Sequence, residues 1–343
     1  MKQELPEDTN EIKTLTVEQA EVLAQRVGDL YLNGLNALFD EVAEALAKHK
    51  GGLHLDGLTS LSSKAAVDLA AHEGGWLYLN GLNELSDEAT SSLSCHDALS
   101  GLSLDGLAAL SDDQICALLH HGGGVSLNGL TTLSAAAAEG YTWPQNDLLL
   151  NGLTTLSSEA AKALAEHESH LYLNGLTTLS DEVAEALAKH KGDLHLDGLT
   201  SLSEEAAKAL THHKGRWLDL DCLTTLSGDL AKAVAEHKGE LYLNGLTTLS
   251  DEAATSLAQH KGEWLYLNGL TNLSDEAAKS LAQYAEGWLF LNGLSTLSEE
   301  AAKSLAQHKG RWLYLKGLAT LSDEAAKALR SKRQIDLPDK FRR

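Results

Sequence analysis

Leucine recurs along this chain in two alternating rhythms. In Trp264-Leu265-Tyr266-Leu267-Asn268-Gly269-Leu270 the period is two, so Leu265 and Leu267 point one way and Trp264, Tyr266 and Asn268 the other. That predicts a short strand with one buried and one open face. In Ser250-Asp251-Glu252-Ala253-Ala254-Thr255-Ser256-Leu257-Ala258 the period changes to that of a helix. Ser250 is placed as N-cap, and Asp251 and Glu252 lie in the first turn, where the helix dipole favours anions. Gly262 is placed to end a helix of about ten residues. In the copy at Asp181, Val183, Leu187 and His190 share one side of the helix. Glu204–Lys208 and Glu299–Lys303 are spaced i, i+4 for ion pairs on the outer face.

The strand–helix block repeats. The glycine of its "NGL" or "DGL" step marks the phase at Gly34, Gly57, Gly81, Gly106, Gly129, Gly152, Gly175, Gly198, Gly245, Gly269, Gly293 and Gly317, with Cys222 holding the place between Gly198 and Gly245. Thirteen copies follow at intervals of 23 to 25 residues. A fixed period in this range predicts a solenoid in which each unit buries its apolar face against its neighbours. The expected fold is therefore an α/β solenoid with a parallel sheet on the concave side and short helices on the convex side, because strands pack closer than helices do. Residues 1–28 read as an N-terminal cap with a helix at Leu15 to Ala24 and no strand of its own. Residues 29–330 read as the repeat array. Residues 331–343 read as a C-terminal cap and basic tail, with Ile335-Asp336-Leu337 as a last strand stopped by Pro338.

The pattern resembles the leucine-rich-repeat family, through the LxL strand and the leucines after it, as in Leu241, Leu243, Leu246 and Leu249. The Glu252 to Gly262 half is similar to the helical segment of ribonuclease-inhibitor-like and GALA-type bacterial repeats. The resemblance spans roughly residues 15–337 and implies a bacterial protein-interaction module. The family's usual asparagine, five residues after the first Leu of LxL, is replaced by Leu246 and its equivalents. Its buried asparagine ladder is therefore absent or moved. Asn244, Asn268 and Asn292 stand one residue after LxL instead, where bonding to nearby backbone in a turn is the first expectation.

Composition narrows the function. The formal charge of −22 disfavours nucleic acid as a partner. Cys95, Cys116 and Cys222 share no repeat phase and no metal spacing, which points to a reducing compartment. No secretory h-region and no long apolar run occur, so the expectation is a cytoplasmic chain that is not membrane-bound. A secretion route that needs no signal peptide would leave no trace of this kind. No nucleophile elbow, phosphate loop or HExxH is present, and the acid pairs recur in nearly every copy where a catalytic pair would be unique. An enzyme is not expected, nor a cofactor. The histidines before the helix-ending glycine (His49, His72, His167, His190, His213, His237, His260 and His308) stand one per repeat. They are read as carbonyl caps that favour the dipole when charged, and not as metal ligands.

Five of the six tryptophans share one strand phase: Trp76, Trp217, Trp264, Trp288 and Trp312. Two residues on stand Tyr242, Tyr266, Phe290 and Tyr314. In-register strands would gather Trp217, Tyr242, Trp264, Tyr266, Trp288, Phe290, Trp312 and Tyr314 into an aromatic patch suited to a protein partner. Two alternatives stand beside it. The rings stack for the stability of the sheet, or the patch meets a second copy of the chain. Trp143, beside the irregular Gly140–Pro144 step, is a further candidate contact.

Overall fold

The computed structural model describes residues 5–95, 101–139 and 146–342. Trp143, the Gly140–Pro144 step, His96 and Arg343 lie outside them. The chain forms two compact units, 1–173 and 174–343, each an alternation of short parallel strands and short helices. In the first unit the strands are β1 (Leu30–Tyr31), β2 (Leu53–His54), β3 (Leu77–Tyr78), β4 (Leu102–Ser103), β5 (Val125–Ser126), β6 (Leu148–Leu149) and β7 (Leu171–Tyr172). The second contains β8 (Leu194–His195), β9 (Trp217–Asp219), β10 (Glu240–Tyr242), β11 (Trp264–Tyr266), β12 (Trp288–Phe290), β13 (Trp312–Tyr314) and β14 (Ile335–Asp336). Within each unit sequential strands are spatial neighbours, and equivalent repeat positions face one another, as Leu30 faces Leu53 and Leu265 faces Leu289.

The leucine phase explains the core. Leu265, Leu267 and Leu270 are fully buried, together with Ala253, Ala254 and Leu257 of the preceding helix, and the same six places are buried in repeat after repeat. Burying one such leucine is worth about 1.5–3 kcal/mol. The helix begins where the sequence places it: Ser250 Oγ accepts the Ala253 N–H at 3.1 Å. The serine hydroxyl also reaches sideways. Ser62 donates to Asp40 at 2.6 Å and Ser203 to Asp181 at 2.5 Å, each one repeat back. First-turn acids thus tie neighbouring helix ends together, which accounts for their recurrence.

Several local expectations change. The helix is seven residues, Asp251–Leu257, with Ala258 at its C-cap. Among the described residues only Gly28 and Gly75 have positive φ, so Gly262 is no left-handed cap. A Cβ there would lie 1.8 Å from the Gly239 carbonyl oxygen, so the glycine serves close approach between repeats. Glu204–Lys208 pairs at 2.5 Å as expected, but Lys303 turns to Glu300 at 2.7 Å instead of Glu299. Val17–Ala24 is a helix, yet it does not stand alone. Asn10 Oδ1 accepts the Asn33 N–H at 3.1 Å, and the Asn10 and Ile12 carbonyls crowd Gly34 as Asn33 and Leu35 crowd Gly57. Asn10 and Ile12 lie 23 residues before Asn33 and Leu35, the spacing that identifies them as a strand-exit turn.

The asparagine ladder is present and moved. Asn244 Oδ1 accepts the Asn268 N–H at 3.0 Å, Asn268 accepts from Asn292 at 3.1 Å, and Asn292 accepts from Lys316 at 2.9 Å. Asp serves equally, as Asp105 does for Asn128 at 2.9 Å, because the rung needs only an acceptor. The bonds run to the next repeat and not to the local turn. They form because the glycine of this step lets the strand-exit turns meet: a Cβ at Gly57, Gly129 or Gly269 would lie 2.1, 2.4 or 1.9 Å from the carbonyl oxygen one repeat back. At Cys222 the rung changes, and the Asp221 N–H donates to Asp219 Oδ1 at 3.0 Å.

The histidines are also joined between repeats. His49 Nδ1 lies 3.3 Å from the Ala24 carbonyl oxygen and its Nε2 lies 2.8 Å from that of Gly28. His260 Nδ1 lies 3.3 Å from Ala235 O. These are carbonyls of the repeat before, not of the residue's own helix. The rings stack in parallel, His49 on His72 at 6.4 Å and His190 on His213 at 6.0 Å. The expected charge is not carried. Burial drives His213, His237, His260 and His308 down to about 4, so these four are neutral at about pH 7.

Candidate binding face

Leu241, Leu265, Leu289 and Leu313 point into the core, so their flanking residues stand on the open face of the sheet. Register then sets Tyr242 beside Tyr266, Tyr266 beside Phe290, and Phe290 beside Tyr314. Their rings stack at centroid separations of 4.2, 4.3 and 4.4 Å, with interplanar angles of 9°, 12° and 2°. Such contacts are worth about 0.5–1.5 kcal/mol each beyond burial. The ring faces are spent on one another, and the row offers its edges outward.

The tryptophans form a shorter row. Trp264 stacks on Trp288 at 4.5 Å, and the Arg311 guanidinium lies 4.9 Å from the Trp288 ring centre. Trp312 stands beside Tyr314 at 6.4 Å and is 41% exposed. Trp217 is separated from this row by Glu240, which occupies the tryptophan place on β10. Glu240 is buried, receives Arg216 Nε at 2.7 Å and accepts the Tyr242 hydroxyl at 2.8 Å. Burial, reinforced by Glu240, holds the Tyr242 phenol well above its ordinary range. Seven of the eight expected site residues therefore adjoin, and Trp217 lies one strand away. The Arg216–Glu240–Tyr242 network and Arg311 went unseen in the sequence. The signal for them was the charged residue just before or within the tryptophan phase.

In the first unit Tyr31, His54 and Tyr78 make a three-ring row, at 4.2 and 4.0 Å. Beyond it the face is small and polar: Ser103 donates to Asn80 at 2.7 Å and Ser126 to Asp105 at 2.6 Å. Trp76 lies over Gly101, where a Cβ would sit 2.1 Å from its indole. On β9, burial and the neighbouring Asp221 and Asp197 raise the Asp219 carboxyl to about 7.

Among the described residues no group of three or more ligating side chains is placed to hold a metal ion. No described helix is long and apolar enough to cross a membrane. No protein-family model matches the sequence, and no curated protein matches it. Solved structures do resemble it. A leucine-rich-repeat protein of Leptospira interrogans is 21% identical over 96% of this chain and 94% of its own, with a TM-score of 0.55. An internalin of Listeria monocytogenes is 16% identical over 95% of this chain and 89% of its own, with a TM-score of 0.54. Toll, from the Drosophila Toll–Spatzle complex, is 16% identical over 96% of this chain and 47% of its own, with a TM-score of 0.51. Parallel strand–helix repeats, leucines buried in phase and a laddered strand exit agree with these likenesses: the chain has the α/β solenoid fold of the leucine-rich-repeat proteins.

Proposed function

We propose that the chain is a non-catalytic scaffold that binds a protein partner on the open face of β10–β13. One observation carries the reading. Four stacked rings and three tryptophans occupy adjacent strands on the open face of the sheet, half-buried against one another, with Trp312 41% exposed. Apolar area held rigid at a surface costs little entropy to bury, and Trp and Tyr dominate interface energetics. Ring stacking stabilises the sheet as well, and the two roles are compatible, because stacking presents the row in one fixed arrangement. The cysteines are free, which supports a reducing, cytoplasmic setting.

The test is capture from native lysate by the full chain and by a Trp264→Ala/Trp288→Ala/Trp312→Ala variant. Loss of about 2 kcal/mol or more of binding free energy for the captured protein is expected, with circular dichroism unchanged. Equal capture by both would sink the reading. Capture only of the chain itself, with a concentration-dependent mass by light scattering, would replace it with self-association.

A further inference from the structure

A cleft of about 1270 Å³ opens between the helices Glu204–Leu210 and Gly228–Val234, on the side where their chains lead into β9 and β10. It lies between the two repeats whose strand-exit turns lack the usual rung, at Cys222. Six cations line it. Three are held by acids: Lys208 by Glu204 at 2.5 Å, Arg216 by Glu240 at 2.7 Å, and Lys261 by Glu236. The other three, Lys214, Lys232 and Lys238, are exposed and carry no ion pair. The lining acids are Glu204, Asp229, Glu236, Glu240 and Glu263, so the cleft as a whole is nearly neutral in a chain of net charge −22, and its positive character rests on the three unpaired lysines.

We propose that this cleft binds an extended acidic peptide segment. Its volume exceeds the roughly 300–1,000 Å³ of small-molecule sites, so a chain fits it better than a metabolite. Glu236 and Glu240 flank Lys238 along the chain, and Lys214 and Lys232 come from other segments, so the positive groups form separate spots and not one run. Separate spots suit carboxylates spaced along a peptide, whereas a phosphate backbone needs a continuous positive track. The lining acids can accept peptide N–H groups, and the Trp264 indole at one end offers apolar contact. The cleft adjoins the aromatic face and shares Trp264 with it, but its lysines lie outside that face.

A fluorescein-labelled hexaglutamate peptide, titrated with the full chain and read by anisotropy at low salt, tests the proposal. Saturable binding is expected. A Lys214→Gln/Lys232→Gln/Lys238→Gln variant should bind at least tenfold more weakly. A control with the same charge loss elsewhere, Lys48→Gln/Lys162→Gln/Lys327→Gln, should stay within about twofold. Trp312→Ala/Tyr314→Ala, on the far side of the aromatic face from Trp264, should also leave peptide binding intact, which separates this site from the rest of that face. Absence of binding, or equal weakening by the control, overturns the proposal. So does displacement of the peptide by tripolyphosphate or oligo-dT at lower concentrations than unlabelled hexaglutamate, since the cleft would then read phosphate.

Discussion

The Tyr284 hydroxyl donates to the Gly262 carbonyl oxygen at 2.7 Å, one repeat back, from a side chain with no solvent exposure. Tyr284 stands where neighbouring repeats carry His260 and His308, and its ring lies 6.1 and 6.3 Å from theirs. The place therefore selects a flat ring with a polar edge that can reach a carbonyl. Tyr284→Phe keeps the ring and removes the donor. It should cost about 1–2 kcal/mol, read as a lower urea midpoint at unchanged slope. A cost near zero would show that the carbonyl has another donor.

Four neutral histidines of the second unit make the fold sensitive to acid. His213, His237, His260 and His308 are held near 4 when folded, against about 6.5 when unfolded. Below 6.5 the unfolded chain takes up protons that the folded one refuses. The stability present above pH 6.5 is thus lost as pH falls toward 4, at up to about 1.4 kcal/mol per pH unit for each histidine. Urea unfolding at pH 7.5, 6, 5 and 4 should show this decline. His260→Tyr, which copies the neighbouring repeat, should flatten it. An unchanged slope in that variant would remove His260 as a cause.

Glycine and cysteine at equivalent places should behave differently. Gly269→Ala puts a Cβ 1.9 Å from the Asn244 carbonyl oxygen and must push the strand-exit turns apart, also straining the Asn244–Asn268 rung. A loss of about 2–4 kcal/mol is expected. Cys222→Ala should change stability by less than about 1 kcal/mol, because its turn already accommodates a side chain and its rung is already rerouted through Asp219. Thermal midpoints of the two variants decide the matter; equal losses would contradict the close-approach argument.

Buried leucines and serine caps were legible because each rests on a local rule: alternation within a strand, or a hydroxyl three residues from its N–H. The aromatic columns were legible because in-register strands follow from a constant period. What escaped were the partners. Asn268 suits a local turn and a ladder equally well in sequence, and only the 1.9 Å approach at Gly269 decides for the ladder. His260 looks like a helix-end cation until burial is known, and burial depends on the repeat beside it. Gly262 looks like a helix cap for the same reason. Glu240 broke the tryptophan phase in plain view, but its ties to Arg216 and Tyr242 depend on side-chain reach, which residue spacing does not encode.

The ladder of Asn244, Asn268 and Asn292 has a consequence for how such a chain can grow. Each repeat supplies an acceptor to the next through its side chain and a donor to the previous one through its backbone, at the same residue. The copies at Asn268 and Asn292 therefore carry both halves of the joint. A duplicated segment arrives already matched to either neighbour, and lengthening requires no compensating change elsewhere. The Cys222 repeat departs from this rule. A duplicate of it would bring a second joint without the glycine, so copying is expected to spread the intact pattern and leave that junction single.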